Sequence, residues 1–155
     1  MRIVVATDGS RGSSAALSFA ARLAKRDQGT ELIVLSVEHN SRPLRTDPPL
    51  DEPERDQESG RGKSPARRIL EGAARELNQK GAEARFCVIP ARGRDGVPEA
   101  ISREADRVKA DLVVVGSEGR DTLSEWVLGG TALRLIYVAR RPVTVVRPPR
   151  RRKER

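Results

Sequence analysis

Glycine and hydroxyl residues in the last third of the chain have the types and spacing needed to bind phosphate. Gly116, Ser117 and Gly119 follow directly on an apolar run, and Gly129-Gly130-Thr131 comes after nine intervening residues, at the start of a helical pattern. Glycines let main-chain N–H groups approach an anion, and a helix N-terminus adds unpaired donors and a positive partial charge. These residues therefore predict a phosphate-binding loop.

Two widespread phosphate-binding motifs are missing from this sequence. No Lys precedes a Ser or Thr in the glycine-rich stretch, and residues 7–12 read TDGSRG instead of G-x-G-x-x-G. Glycines also occur as ordinary turn and cap residues after strands. On the residues alone, a phosphate loop and a set of plain turns both remain open.

The elements that must position this loop alternate between strand and helix. Each strand is short and apolar, and each is followed by an amphipathic helix or a glycine-rich turn, which predicts a parallel sheet with helices on both faces. Ligands of such sheets bind beyond the carboxyl ends of the strands, here after strands one, two and four. The predicted strands are 2–7, 31–37, 84–89, 111–115 and 142–146, and the predicted helices are 13–26, 65–80, 97–108 and 131–139.

Two segments do not fit the alternating pattern. Residues 38–64 hold four of the ten prolines and almost no large apolar side chains, so they are predicted to form a flexible insertion. Residues 148–155 are predicted to be a disordered basic tail. The remainder of 1–147 is predicted to be a single domain.

Charge and composition limit the other function classes. The formal net charge is +8, but residues 147–155 carry +5 of it, which leaves the folded part nearly balanced. The tail could bind nucleic acid through counterion release, yet only 3% of residues are aromatic and few can stack on bases. No run approaches the roughly 18 apolar residues of a membrane span, and no signal peptide is recognisable, so we expect a cytoplasmic protein without membrane contact.

The residues quoted above resemble the universal stress protein family, in its ATP-binding branch. The opening IVVATDGS is similar to the first strand and turn of that family, and residues 111–148 resemble its signature of Gly, two residues, Gly, nine residues, Gly and then Ser or Thr. Gly116, Gly119 and Gly129 match the three glycines. Gly130 departs from the pattern, because it stands where the family has a hydroxyl residue, and the loss of that hydroxyl is expected to weaken or alter phosphate binding.

The resemblance implies a fold and a set of site residues. The fold is a Rossmann-like open five-stranded parallel sheet of order 3-2-1-4-5. The segment from Ala6 through Thr7 to Asp8 would lie beside the adenosine, with the Asp8 carboxylate near the ribose or a phosphate-bound Mg²⁺. Val37 would meet the adenine, with Val115 close by, and Ser117 would join the glycines at the loop. The alternatives are a helix-capping turn for Asp8 and plain strand core for the two valines.

The implied function is binding of ATP, or of AMP or ADP, by a nucleotide-dependent regulatory module of the stress response. The resemblance also implies a homodimer through the last strand, 142–146. His39 and Cys87 lie in unrelated places and no nucleophile adjoins a base, so slow ATP hydrolysis or autophosphorylation at Asp8 is the most chemistry expected. The alternatives are a nucleotide-independent dimeric interaction module and a nucleic-acid-associated protein.

Overall fold

The computed structural model describes residues 1–39, 64–92, 94–118 and 128–149, and within them five strands alternate with four helices. All strand pairs are parallel, and the sheet order is β3-β2-β1-β4-β5. This confirms the predicted fold class and strand order. The elements are β1 (Arg2–Ala6), α1 (Arg11–Arg26), β2 (Glu31–His39), α2 (Pro65–Gln79), β3 (Arg85–Ala91), α3 (Val97–Arg107), β4 (Leu112–Gly116), α4 (Gly130–Val138) and β5 (Val143–Val146).

Two apolar cores cover the two faces of the sheet. Alternate side chains of β1, β2 and β4 point to opposite faces, as the period of a strand requires. Leu32 and Val34 of β2 pack with α1 and α2, whereas Ile33, Leu35 and Val37 pack with α3 and α4. The winding therefore reverses between β1 and β4, which is where open sheets of this type bind ligands.

Element boundaries differ from the predicted ones by a few residues. The helix α1 begins at Arg11, because the Ser10 hydroxyl caps it and accepts the N–H of Ser13 at 3.2 Å. The strand β2 continues to His39 by pairing with β3, so the first two residues of the predicted insertion belong to a strand. Ser64, the last residue of that insertion, is the N-cap of α2. Insertion residues 40–63 and tail residues 150–155 lie outside the described residues.

Two further features of the structure are the environment of Cys87 and the length of the helices. Cys87 is half-buried on β3, and burial raises the pKa of its thiol above the ordinary value, which keeps it protonated. Over the ranges that the structure describes, no helix is long and apolar enough to cross a membrane.

Candidate nucleotide-binding site

A cavity of about 730 Å³ opens where β1, β2 and β4 end, at the point where the winding reverses. Its size is within the range of small-molecule sites in proteins. The sheet edge, α2, α3 and the start of α4 all contribute to its wall. Its described lining is Ala6, Thr7, Asp8, Ser13, Ser36, Val37, Glu38, Pro65, Ala66, Ile69, Val97, Ile101, Val115, Gly116, Glu118, Gly129, Gly130, Thr131 and Ala132.

Most of the predicted site residues converge on this cavity from four separate segments. Nine of them line it: Ala6, Thr7, Asp8, Val37, Val115, Gly116, Gly129, Gly130 and Thr131. Ser117 is buried and is not among the described lining residues. Gly119 lies outside the described residues. The structure thus brings the predicted segments together at one cavity.

The turn between β1 and α1 is built by local hydrogen bonds. Gly9 adopts a left-handed conformation, with φ of 76°, and its N–H donates to the Thr7 hydroxyl at 3.2 Å. The Thr7 hydroxyl donates in turn to the Ser13 hydroxyl at 3.1 Å. Asp8 Oδ1 accepts the N–H of Ser10 at 2.9 Å, which is the turn role that sequence reasoning weighed as the alternative for this residue. Because that bond occupies one oxygen, Oδ2 remains available to a ligand in the cavity.

Gly116 is a glycine for a reason of packing. A Cβ added there would lie 2.5 Å from the carbonyl oxygen of Gly12 and 2.7 Å from the amide nitrogen of Ser13. A Cβ at Gly12 would meet the backbone of Glu118 in the same way, and the Ser10 hydroxyl donates to the Glu118 carbonyl at 3.2 Å. The first turn of α1 is therefore held directly against the end of β4. The close packing of α1 against β4 therefore requires a glycine at position 116.

Ser117 connects the two halves of the glycine-rich motif through its backbone. Its N–H donates to the Val146 carbonyl at 2.8 Å, and its carbonyl accepts the N–H of Gly129 at 2.7 Å. The start of α4 is thereby fixed beside the end of β4. Ser117, predicted as a residue of the loop, thus joins β4 to β5 and to the N-cap of α4 through its main chain.

The first turn of α4 presents main-chain donors to the cavity. Gly129 is the N-cap and has no side chain that could cap the helix. The N–H groups of the first helical residues have no carbonyl partner within a helix, and Gly130, Thr131 and Ala132 all line the cavity. Among the described residues, no atom lies within 4 Å of a Cβ placed at Gly130. This position is open and lies at the positive end of the helix dipole.

The end of β2 presents a donor and an acceptor side by side. Glu31 N–H donates to the Met1 carbonyl and Thr7 N–H donates to the Leu35 carbonyl, so odd-numbered residues of β2 direct their main-chain groups toward β1. Val37 is next in that series, but β1 has already ended at Ala6. Within the described residues no main-chain bond from the β1 side reaches Val37. Its N–H and carbonyl thus face the cavity.

Sequence reasoning missed several lining residues on the α2 and α3 sides. Ser36 and Glu38 come from the two positions of β2 that flank Val37, and Ile69, Val97 and Ile101 form apolar wall. A polar serine inside the otherwise apolar run LIVLSV was the signal that could have indicated Ser36. The α2 and α3 residues gave no such signal, because apolar helix positions normally indicate core.

Charge at the site is mixed. Carboxylates of Asp8, Glu38 and Glu118 line the cavity together with the helix N-terminus. Among the described residues no group of three or more His, Cys, Asp or Glu could hold a metal ion by itself. A cation in this cavity would therefore need ligand atoms in addition to Asp8.

A family model described as the universal stress protein family matches residues 1–147. Universal stress protein MJ0531 of Methanocaldococcus jannaschii is 41% identical over 58 residues, which are 37% of this chain and only 34% of that protein. A universal stress protein solved in complex with cAMP is 25% identical, with a TM-score of 0.64 over 96% of this chain and 98% of the other.

The universal stress protein of Archaeoglobus fulgidus, solved in complex with dAMP, is 26% identical, with a TM-score of 0.63 over 94% of this chain and 97% of that one. The family model spans nearly the whole chain, and both solved structures share its fold over at least 94% of its length. This chain belongs to the universal stress protein family.

Proposed function

We propose that this chain binds an adenine nucleotide and acts as a nucleotide-dependent regulatory module of the stress response. Two structures of the family that resemble it at 25% and 26% identity were solved with cAMP and dAMP. The observation that carries the proposal is the cavity at the β1–β4 switch point, where the predicted segments converge. ATP is the ligand that the resemblance favours, with AMP and ADP as the other adenylates, and the cytoplasm is the compartment we assume.

In this proposal the phosphates lie at the start of α4. The N–H groups of Gly130 and Thr131 supply donors, the helix dipole supplies positive potential, and the Thr131 hydroxyl adds a further donor. The first turn of α1 packs directly against Gly116 beside the site. Phosphate binding in this proposal therefore depends mainly on backbone groups.

The adenine lies at the end of β2. Adenine offers an acceptor at N1 beside a donor at its 6-amino group, and the Val37 N–H and carbonyl form the complementary pair. Apolar side chains of Ile69, Val97 and Ile101 line the same cavity and can enclose the faces of the ring. The ribose would then lie above the end of β1, within reach of Asp8 Oδ2.

Mg²⁺ fits this site only as a companion of the phosphates. Asp8 can hold it indirectly, and the ion would shield the charge of a triphosphate from the Asp8 and Glu118 carboxylates. ATP carries more charge than AMP, so we expect Mg²⁺ to strengthen ATP binding more than AMP binding.

In this proposal the chain acts by binding, with slow ATP hydrolysis or autophosphorylation at Asp8 as the most chemistry expected. Within the described ranges the cavity holds no thiol or histidine, and the Thr7 and Ser13 hydroxyls that line it bond to each other. A nucleophile needs an adjacent base to be activated. Nucleotide occupancy would act through conformation, on the insertion or on the oligomer.

The test is a calorimetric titration with Mg-ATP, ADP and AMP, together with identification of any nucleotide that co-purifies with the protein. Gly130→Phe adds a large side chain at a residue that lines the cavity, and Gly130→Ala is its matched control. We expect the control to bind and Gly130→Phe to lose binding, with both variants folded. Equal affinity in both variants, or no affinity of the wild type at millimolar adenylate, would refute the proposal.

We also propose a homodimer through β5, the edge strand beside β4. The Pro142 carbonyl accepts the N–H of Val113, and the Val146 carbonyl accepts the N–H of Ser117, so the even-numbered residues of this strand face β4. The N–H groups of Val143 and Val145 therefore point away from β4, along an unpaired strand edge. Beside this edge, α4 exposes an apolar face of Leu133, Ile136 and Tyr137, at 46%, 49% and 80% exposure. An apolar helix face next to an unpaired strand edge favours self-association.

Sedimentation of Val145→Pro tests the dimer, because proline removes an outward N–H without touching the β4 pairing. We expect this variant to be monomeric. Phe86→Ser, on the opposite edge strand β3, is the control and should remain dimeric. A dimer that survives Val145→Pro together with Tyr137→Arg would contradict the proposed interface.

A further inference from the structure

Two polar side chains, those of Ser36 and Glu38, lie near the end of β2. Ser36 and Glu38 follow the alternation of Leu32 and Val34, so their side chains point to the α1–α2 side of the sheet. Both line the cavity, opposite Pro65 and Ile69 of α2. They therefore form one wall of the site proposed above, on either side of Val37.

These two side chains are unpaired in the part of the chain that the structure describes. Ser36 is only 2% exposed, and no hydrogen bond is formed by its hydroxyl there; the same holds for the Glu38 carboxylate. No side-chain oxygen among the described residues is both unbonded and sealed from solvent, so the Ser36 hydroxyl opens on the cavity. A buried hydroxyl without a partner costs stability unless a ligand or water bonds to it.

The order of groups along β2 decides what Glu38 would contact. The Val37 N–H precedes its carbonyl along the strand, and Glu38 follows that carbonyl directly. If a base bonds to both the N–H and the carbonyl of Val37, the group of the base that bonds to the carbonyl lies next to Glu38. For adenine this is the 6-amino group, which has a second hydrogen to donate.

We propose that Glu38, with Ser36 beside it, selects the 6-amino group of adenine against the 6-oxo group of hypoxanthine and guanine. This inference rests on the proposed nucleotide function. A carboxylate accepts hydrogen bonds and donates none, so it suits an amino group and repels a carbonyl oxygen. A hydrogen bond to a charged group changes the relative affinity of two ligands by tenfold or more, and so does a buried polar group left unpaired.

The test compares the affinities of the protein for AMP and IMP, the 6-amino and 6-oxo forms of one nucleotide. We expect the wild type to prefer AMP by at least about tenfold. Glu38→Gln gains a donor for the 6-oxo group, so the preference should fall by about tenfold. Glu83→Gln removes the same charge from an exposed position at the opposite end of the sheet and should leave the preference unchanged.

A second arm begins with the wild type, so its first comparison does not depend on a variant folding. N6-methyl-AMP keeps a single hydrogen on its amino group and can satisfy only one of the two acceptors, so we expect about tenfold weaker binding than for AMP. In Glu38→Ala this difference should shrink toward equality.

The outcomes separate the two proposals. If the wild type binds AMP but Glu38→Gln keeps the wild-type preference, or if N6-methyl-AMP binds the wild type as well as AMP does, the role of Glu38 is wrong and the nucleotide function stands. If the wild type binds no purine nucleotide, both proposals fall.

Discussion

Replacing Gly116 by alanine adds one methyl group at the place where β4 meets α1. The new Cβ would lie 2.3 Å from the Gly12 carbonyl carbon and 2.5 Å from its oxygen, whereas an ordinary contact begins near 3.4 Å. The two backbones must therefore separate by about 1.1 Å. No flexible side chain can yield here, because every close atom belongs to the main chain.

Overpacking of this kind costs about 1–3 kcal/mol and sometimes more, and we expect the upper end for Gly116→Ala because backbone must move. For a domain of this size, about 3 kcal/mol lowers the Tm by roughly 6–12 °C. Chemical denaturation by urea, followed by circular dichroism, measures the loss in free energy of unfolding.

Gly130→Ala is the matched control, since its added Cβ meets nothing within 4 Å in the part of the chain that the structure describes. It should be neutral or slightly stabilising, because alanine restricts the unfolded chain more than glycine does. If Gly116→Ala were as stable as the control, the close approach of β4 and α1 would not constrain the fold, and the packing explanation of Gly116 would be refuted.

Further predictions follow from single contacts and charges. Gly130→Ser restores a hydroxyl at an open position, and it should tighten ATP binding by about tenfold in a calorimetric titration; unchanged affinity would place the phosphates elsewhere. Hydrogen bonds from Arg2, and to a smaller extent from Arg85, hold the pKa of the Glu31 carboxyl below the ordinary 4.5. This pairing therefore stabilises the fold above about pH 4.5, and the stabilisation is lost as the pH falls through the lowered pKa. Glu31→Gln should accordingly flatten the stability profile in that acidic range, and a profile with the wild-type slope would contradict it. Deletion of residues 148–155 should leave ATP affinity unchanged and abolish any retention on DNA; loss of ATP binding would assign the tail to the nucleotide site.

Much of the fold was predictable because the sequence separates its elements clearly. Apolar strands such as LIVLSV alternate with helices that carry alanines and leucines on one face, and parallel order follows from that alternation. Boundaries were harder. The strand β2 continues to His39 because β3 pairs with it, and this long-range contact leaves no mark in the local pattern.

The candidate site was predictable where residue type and turn coincide. Asp8, Gly129 and Thr131 follow strands or begin helices, and such positions face the carboxyl edge of a parallel sheet. Glu38 could not be assigned in advance, because its place beside the cavity depends on β2 continuing past Val37 by pairing with β3. The packing role of Gly116 was equally hidden, since it depends on how closely α1 approaches β4.

The most direct measurement is a backbone amide NMR titration of the protein with Mg-ATP. Our account predicts that the largest shifts fall on the amides of Gly130, Thr131 and Val37, which are far apart in sequence and line one cavity. Shifts confined to other surfaces, or an unchanged spectrum at several millimolar nucleotide, would contradict it.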